Sequence, residues 1–260
     1  MLHAAVVIDH VTIYCKTLPL LTDAFARLGF VTADGKHYMF RKNYLEGYAP
    51  GEGEAYDFFP GPAGLHSFIF WADDPDASYQ ALVDAGYEMA MPVTDFARPA
   101  IVDGKAYTAA FRGAYLKTPL FPLGETALVR QVTPQLVYLP GGDIHPNGVD
   151  SMEEFYLCVP DADKAQAARD ELERASELIR GQWPVHDCVN KVSIAADWQT
   201  EFGVKTDPAR SCVCGIRFSC RDFAQVKAAV EASGYPFHPK GDGLVVDLAA
   251  ELNLFLYFEP

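Results

Sequence analysis

One pattern occurs four times along the chain, and it limits the fold more than any composition does. Ile8-Asp9-His10-Val11-Thr12-Ile13-Tyr14 alternates as a strand, Leu21, Phe25 and Leu28 then fall at helical spacing, and Gly29-Phe30 stops the helix. Leu65-His66-Ser67-Phe68-Ile69-Phe70, an acidic helix start at Asp73-Asp74-Pro75, apolar Tyr79, Leu82 and Val83, and Gly86-Tyr87 repeat the plan. A third copy runs from Glu153 to Cys158 and through a helix with Ala165, Ala168, Leu172 and Ala175, without the glycine. The fourth runs from Cys214 to Ser219, with Asp222 as helix cap and Gly234-Tyr235 as stop. From aligned strand position to glycine the intervals are 19 residues (His10 to Gly29), 20 (His66 to Gly86) and 20 (Cys214 to Gly234).

Short β-branched and aromatic segments follow the glycines: Phe30–Thr32, Tyr38–Phe40 and Tyr44–Tyr48 in the first unit, Leu244–Asp247 and Leu252–Phe258 in the fourth. Each unit therefore reads as βαβββ, an α+β fold class. The run Pro140-Gly141-Gly142-Asp143-Ile144-His145-Pro146-Asn147-Gly148 breaks both periodicities. It divides the chain into expected domains at 1–140 and 150–260. Residues from about Pro92 to Pro122 read as an irregular insertion in the second unit.

The chain has 260 residues with a formal charge of −14, which repels a phosphate backbone and argues against nucleic acid and anionic membranes as partners. No apolar run approaches the roughly 18 to 20 residues that span a bilayer. With no signal-peptide pattern at the first residues, a cytoplasmic location is the default expectation. The six cysteines form no C-x-x-C pair and read as buried reduced thiols, and Cys212-x-Cys214 with Cys220 is not a zinc spacing.

Paired βαβββ units whose first strand reads Ile8-Asp9-His10-Val11 resemble the vicinal oxygen chelate superfamily, which includes glyoxalase I, extradiol dioxygenases and bleomycin-resistance proteins. Asn43-Tyr44-Leu45-Glu46-Gly47-Tyr48, Ala97-Arg98-Pro99, Arg130 to Tyr138 and His145-Pro146-Asn147-Gly148 resemble its glyoxalase-like domain branch. The resemblance implies two such domains and a divalent metal ion (Zn, Fe, Ni or Mn) held by the first and last strands of paired units. Carried over, His10, Glu46 and His66 are the metal ligands, with Gln131 a weak fourth and Glu46 also the catalytic carboxylate. Tyr48, Phe68, Arg98 and Arg112 are the substrate-binding candidates. The matching positions of the second half, Glu153, Cys214 and Glu259, contain no histidine, so that half is expected to have lost its site.

Two functions fit. One is a metal-dependent lyase, isomerase or dioxygenase acting on a small oxygen-rich metabolite. The other is a metal-free module that binds or sequesters a small molecule, for which the acidic charge favours a cationic ligand over a strongly anionic one. A homodimer is left open. Alternation turns Asp9 away from His10 and makes it a surface or turn residue. His145 reads as part of a turn, and His186-Asp187-Cys188 as an extended segment whose neighbours point apart.

Overall fold

Apolar alternation decides which face each strand turns to the core, and in the first strand that alternation slips. β1 (Leu2–Tyr14) buries Ala4, Val6 and Ile8, then Val11 and Ile13, in the main core. The step of three from Ile8 to Val11 breaks the period of two. In the computed structural model, Ile8 lies opposite Phe70 and His10 opposite Ile69 on β4 (Gly64–Trp71), so β1 carries an extra residue at this point. The structure describes residues 1–32, 34–49, 63–102, 104–179, 189–205 and 212–260. His186-Asp187-Cys188 lies outside them.

β1 pairs in parallel with β3 (Tyr44–Tyr48), which also pairs with β2 (His37–Met39). β4 pairs in parallel with β7 (Glu125–Gln131), and the sheet continues through β6 (Lys105–Tyr115) to the edge strand β5 (Thr94–Val102). In the second half, β8 (Val149–Cys158) and β10 (Val213–Cys220) are the antiparallel first strands. β10 is followed by β13 (Phe255–Glu259), β12 (Gly243–Asp247) and β11 (Phe237–Lys240). β9 (Val189–Ala195) lies between β8 and β1 and joins both halves into one 13-stranded sheet.

Four helices cover one face. α1 (Leu18–Arg27) packs on α5 (Phe223–Ser233), and α2 (Pro75–Asp84) packs on α3 (Ala162–Ile179). α3 also lies across β1 and β9, where its buried Ala165, Ala168 and Ala175 permit close approach. Asp74 and Asp222 cap α2 and α5 by accepting from the Ala77 and Gln225 amides. Gly29, Gly86 and Gly234 all have φ between 77° and 92°, a conformation that penalises any side chain. Among the described residues, no helix is long and apolar enough to cross a membrane.

The fold is the expected α+β arrangement of strand–helix units, with three local corrections. Phe30–Thr32 is not a strand. The third unit has only β9 after its helix among the described residues. The expected irregular insertion is instead the long β5–β6 hairpin; Pro99 obscures it in the sequence, but an edge strand tolerates proline.

The second half fills its own concave face. α4 (Gln199–Phe202) sets Trp198 and Phe202 among Tyr156, Phe255 and Tyr257, and the Trp198 indole donates to the Leu157 carbonyl at 3.0 Å. Cys214 is sealed in this cluster. Glu154 is paired with Lys191 and Arg217, and Glu153 with Lys42. Phe202→Ala therefore opens a cavity in a closed cluster and should cost about 3–5 kcal/mol in guanidinium unfolding. A loss below about 1 kcal/mol would show that α4 is not an integral plug.

Candidate functional site

In the first half, the face turned away from the helices forms an open cup. The extra residue in β1 turns Asp9 and His10 toward it together. The parallel register of β1 with β3 places His10 beside Tyr44, Thr12 beside Glu46 and Tyr14 beside Tyr48. β4 adds Ile69, β5 adds Phe96 and Arg98, β6 adds Phe111 and Tyr115, and β7 adds Ala127 and Val129. The resulting cavity holds about 210 Å³, and its lining includes His10, Glu46 and Arg98.

His10 is fixed on three sides. Its Nδ1 is 2.6 Å from Asp9 Oδ2, its ring stacks on Tyr44 at 4.4 Å between centroids, and its Nε2 is 3.7 Å from Glu46 Oε2, too far for a hydrogen bond. Asp9 is itself buried, accepting from Gln131 Nε2 at 2.9 and 3.1 Å and from the Tyr138 hydroxyl at 3.2 Å. The surface position expected for Asp9 is thus corrected, and the bulge is the reason.

Glu46 sits at the centre of a second chain. Its Oε1 is 2.8 Å from His37 Nε2 and 3.2 Å from Lys36 Nζ, while His37 Nδ1 is 2.5 Å from Asp34. Burial alone would raise the Glu46 carboxyl, but His37, His10 and Lys36 outweigh it and hold the carboxyl well below the usual range. For His37 burial works downward, and Glu46 and Asp34 outweigh it and raise the imidazole above its ordinary 6.5. A further carboxylate, Glu125, accepts from Tyr14 at 2.7 Å and Ser67 at 2.9 Å, and burial raises it.

Of the expected site residues, the structure brings His10, Glu46, Tyr48 and Arg98 to one cavity. Gln131 is used on Asp9. His66 is the residue passed over where Thr12 faces Ser67 and Ile13 faces Leu65; its Nδ1 is 3.8 Å from the Cys212 thiol and its ring 6.4 Å from that of Tyr14. Phe68 points into the main core opposite Val11 and does not line the cavity. Arg112 is bound on the outer surface by Asp76 and Asp95. His145 joins the Val31 amide to the Met39 carbonyl, and Asn147 donates to Leu28, so that motif is structural, as expected.

Sequence reasoning missed Asp9, Lys36, His37 and Glu125. The shift from Ile8 to Val11 was a readable sign for Asp9. No such sign marks Glu125, whose place follows from the pairing of β7 with Ser67 on β4.

The divalent ion implied by the resemblance requires three or four converging donors. Here His10 Nε2 and Glu46 Oε2 approach each other, Glu46 Oε1 is occupied by two cationic partners, and His66 and Gln131 are engaged elsewhere. Among the described residues, no three His, Cys, Asp or Glu side chains are grouped to hold a metal. The donors do not complete an ion site.

A profile of the glyoxalase-like domain matches residues 8–173. The chain belongs to the glyoxalase-like domain family. Solved structures with the same vicinal oxygen chelate fold include a hypothetical protein from Staphylococcus aureus, 8% identical over the whole of both chains, with a TM-score of 0.58. A mutant 4-hydroxymandelate synthase from Streptomyces coelicolor is 12% identical over 98% of this chain and 92% of that one, with a TM-score of 0.58. A xylose isomerase-like TIM barrel/4-hydroxyphenylpyruvate dioxygenase fusion protein is 13% identical over 98% of this chain and 48% of its own, with a TM-score of 0.56. Identities this low establish the fold alone. No curated protein matches the chain significantly.

The raised His37 has a consequence for this glyoxalase-like chain. A group charged more readily when folded than unfolded stabilises fully below its ordinary 6.5, and the gain is lost as pH rises through its raised folded value. His37→Gln should therefore cost most stability near pH 6 and less toward pH 9, read as unfolding midpoints. A deficit that is constant or grows with pH would contradict the charged His37.

Proposed function

We propose that the chain is a glyoxalase-like lyase or isomerase that binds a compact oxygenated metabolite in the N-terminal cup and moves a proton on it through His10. The observation that carries this reading is the Asp9–His10 pair at the cavity wall. Asp9 accepts a hydrogen bond from Nδ1–H of His10, which leaves the Nε2 lone pair toward the cup, the arrangement of an oriented general base. Tyr44 holds the ring plane, and Gln131 and Tyr138 keep Asp9 in place.

Glu46 has a different task from the one expected. A carboxylate held so far below neutral pH is a weak base. It instead places a fixed negative charge 3.7 Å from His10 Nε2. The ligand must be compact, because the cavity is smaller than the roughly 300–1,000 Å³ of drug-sized sites.

A metal-dependent reading, including a dioxygenase of the kind named for one solved neighbour, has one observation in its favour. Carboxylates commonly orient metal-ligating imidazoles as Asp9 orients His10.

Proton transfer can be measured without knowing the whole reaction. Exchange of α-protons for deuterium, followed by NMR on phenylpyruvate and hydroxyacetone, should be accelerated by the protein in the presence of chelator. His10→Gln should lose about 10²-fold or more of that acceleration. Exchange that needs added Fe²⁺, Ni²⁺, Mn²⁺ or Zn²⁺ and ceases with chelator would favour the metal-dependent enzyme. No exchange at all, with ligand still bound, would favour the binding module.

A further inference from the structure

We infer that the cup selects a monoanionic aromatic acid, one planar ring bearing a carboxylate, and that Arg98 is the residue that takes the carboxylate. This deepens the reading of the N-terminal cup as the ligand site and rests on it.

The first observation is a cation without an anion. Arg41, Arg112, Arg169, Arg217 and Arg221 each pair with a carboxylate. Arg27, Arg130 and Arg174 donate to backbone carbonyls. Among the described arginines, Arg98 alone has neither kind of partner; its guanidinium lies over the Phe111 ring at 5.7 Å. In a chain with 35 acidic and 21 basic side chains, a guanidinium with neither a carboxylate nor a carbonyl partner is a departure from the general balance.

The second observation is that the carboxylates around the cup are already matched among the described residues. Glu46 faces Lys36 and His37, Asp9 faces His10, Gln131 and Tyr138, and Glu125 accepts from Tyr14 and Ser67. On β5 the strand alternation sends Asp95 outward to Arg112 and brings Phe96 and Arg98 to the cavity. The positive charge of Arg98 is therefore available to a ligand. A guanidinium fork fits a carboxylate with two parallel hydrogen bonds. One such fork in a strongly acidic chain suits a single negative charge and disfavours a polyanion.

The third observation is the cavity's shape and lining. Tyr44, Tyr48, Phe96, Phe111 and Tyr115 provide ring walls, and Ile69, Ala127 and Val129 an apolar floor. A space of about 150 Å³ accepts benzene, so about 210 Å³ accepts one ring with a few further heavy atoms. The overall acidity had favoured a cationic ligand; the local unmatched guanidinium reverses that expectation.

The test is calorimetric titration of the full chain with benzoate, and with benzyl alcohol and benzylamine as neutral and cationic counterparts. Benzoate should bind best. Arg98→Gln should weaken it about tenfold or more, the loss expected for a hydrogen-bonded charge pair. Arg98→Lys should recover part of that, and benzyl alcohol should bind both variants as it binds the parent. Because Arg98 forms no ion pair, the Arg98→Gln chain should keep the parent unfolding midpoint. The readouts separate the two proposals: α-proton exchange reports on His10, and the affinity ratio of benzoate to benzyl alcohol, lost in Arg98→Gln, reports on Arg98. The inference is overturned if benzoate does not bind the parent chain, if Arg98→Gln binds it equally well, or if benzylamine binds more tightly.

Discussion

The chemistry of the N-terminal cup depends on one extra residue in β1. Without it, strict alternation would send one of the pair to the helix-covered face, His10 if counted on from Ile8 and Asp9 if counted back from Val11, and would leave a buried polar group there without partners. With it, Asp9 and His10 face the same way, and the core side resumes at Val11. Bulges re-aim side chains at the cost of one unpaired ladder position. Here the result is an imidazole fixed at Nδ1 and open at Nε2, in a sheet whose other face is an ordinary apolar core.

Charge matching then determines what the cup can do. Lys36 and His37 pair with Glu46 Oε1, and Glu46 Oε2 lies 3.7 Å from His10 Nε2. The second half closes its cup by a different route. Trp198 and Phe202 fill the concavity, and Arg217 and Lys191 engage Glu154, so among the described residues the second half packs side chains where the first half has its cup. Helix α3 of the second half lies on β1, so the half without a cup still supports the strand that carries His10.

The architecture was largely legible in the sequence because strand alternation, capping aspartates and helix-stopping glycines are local signals. Asp74, Asp222, Gly29, Gly86 and Gly234 all play the expected parts. The site was legible only in part. His10, Glu46, Tyr48 and Arg98 could be placed in one cup by strand face alone. His66 and Phe68 could not, because the register shift between Ser67 and Leu65 passes over His66, and Phe68 pairs with Val11 on the core side. Arg112 lies on the correct hairpin but on its outer face, and the hairpin itself was hidden by Pro99. Glu125 depends on which strands pair, a long-range property that no local pattern encodes.

The central claim is that the donors of the N-terminal cup serve proton chemistry and do not complete a metal site. Metal content of the untagged protein, purified without chelator and measured by elemental analysis, tests it most directly. The account predicts sub-stoichiometric transition metal, unchanged in His10→Gln and Glu46→Gln. One equivalent of a single divalent metal per chain, lost in both variants, would contradict it.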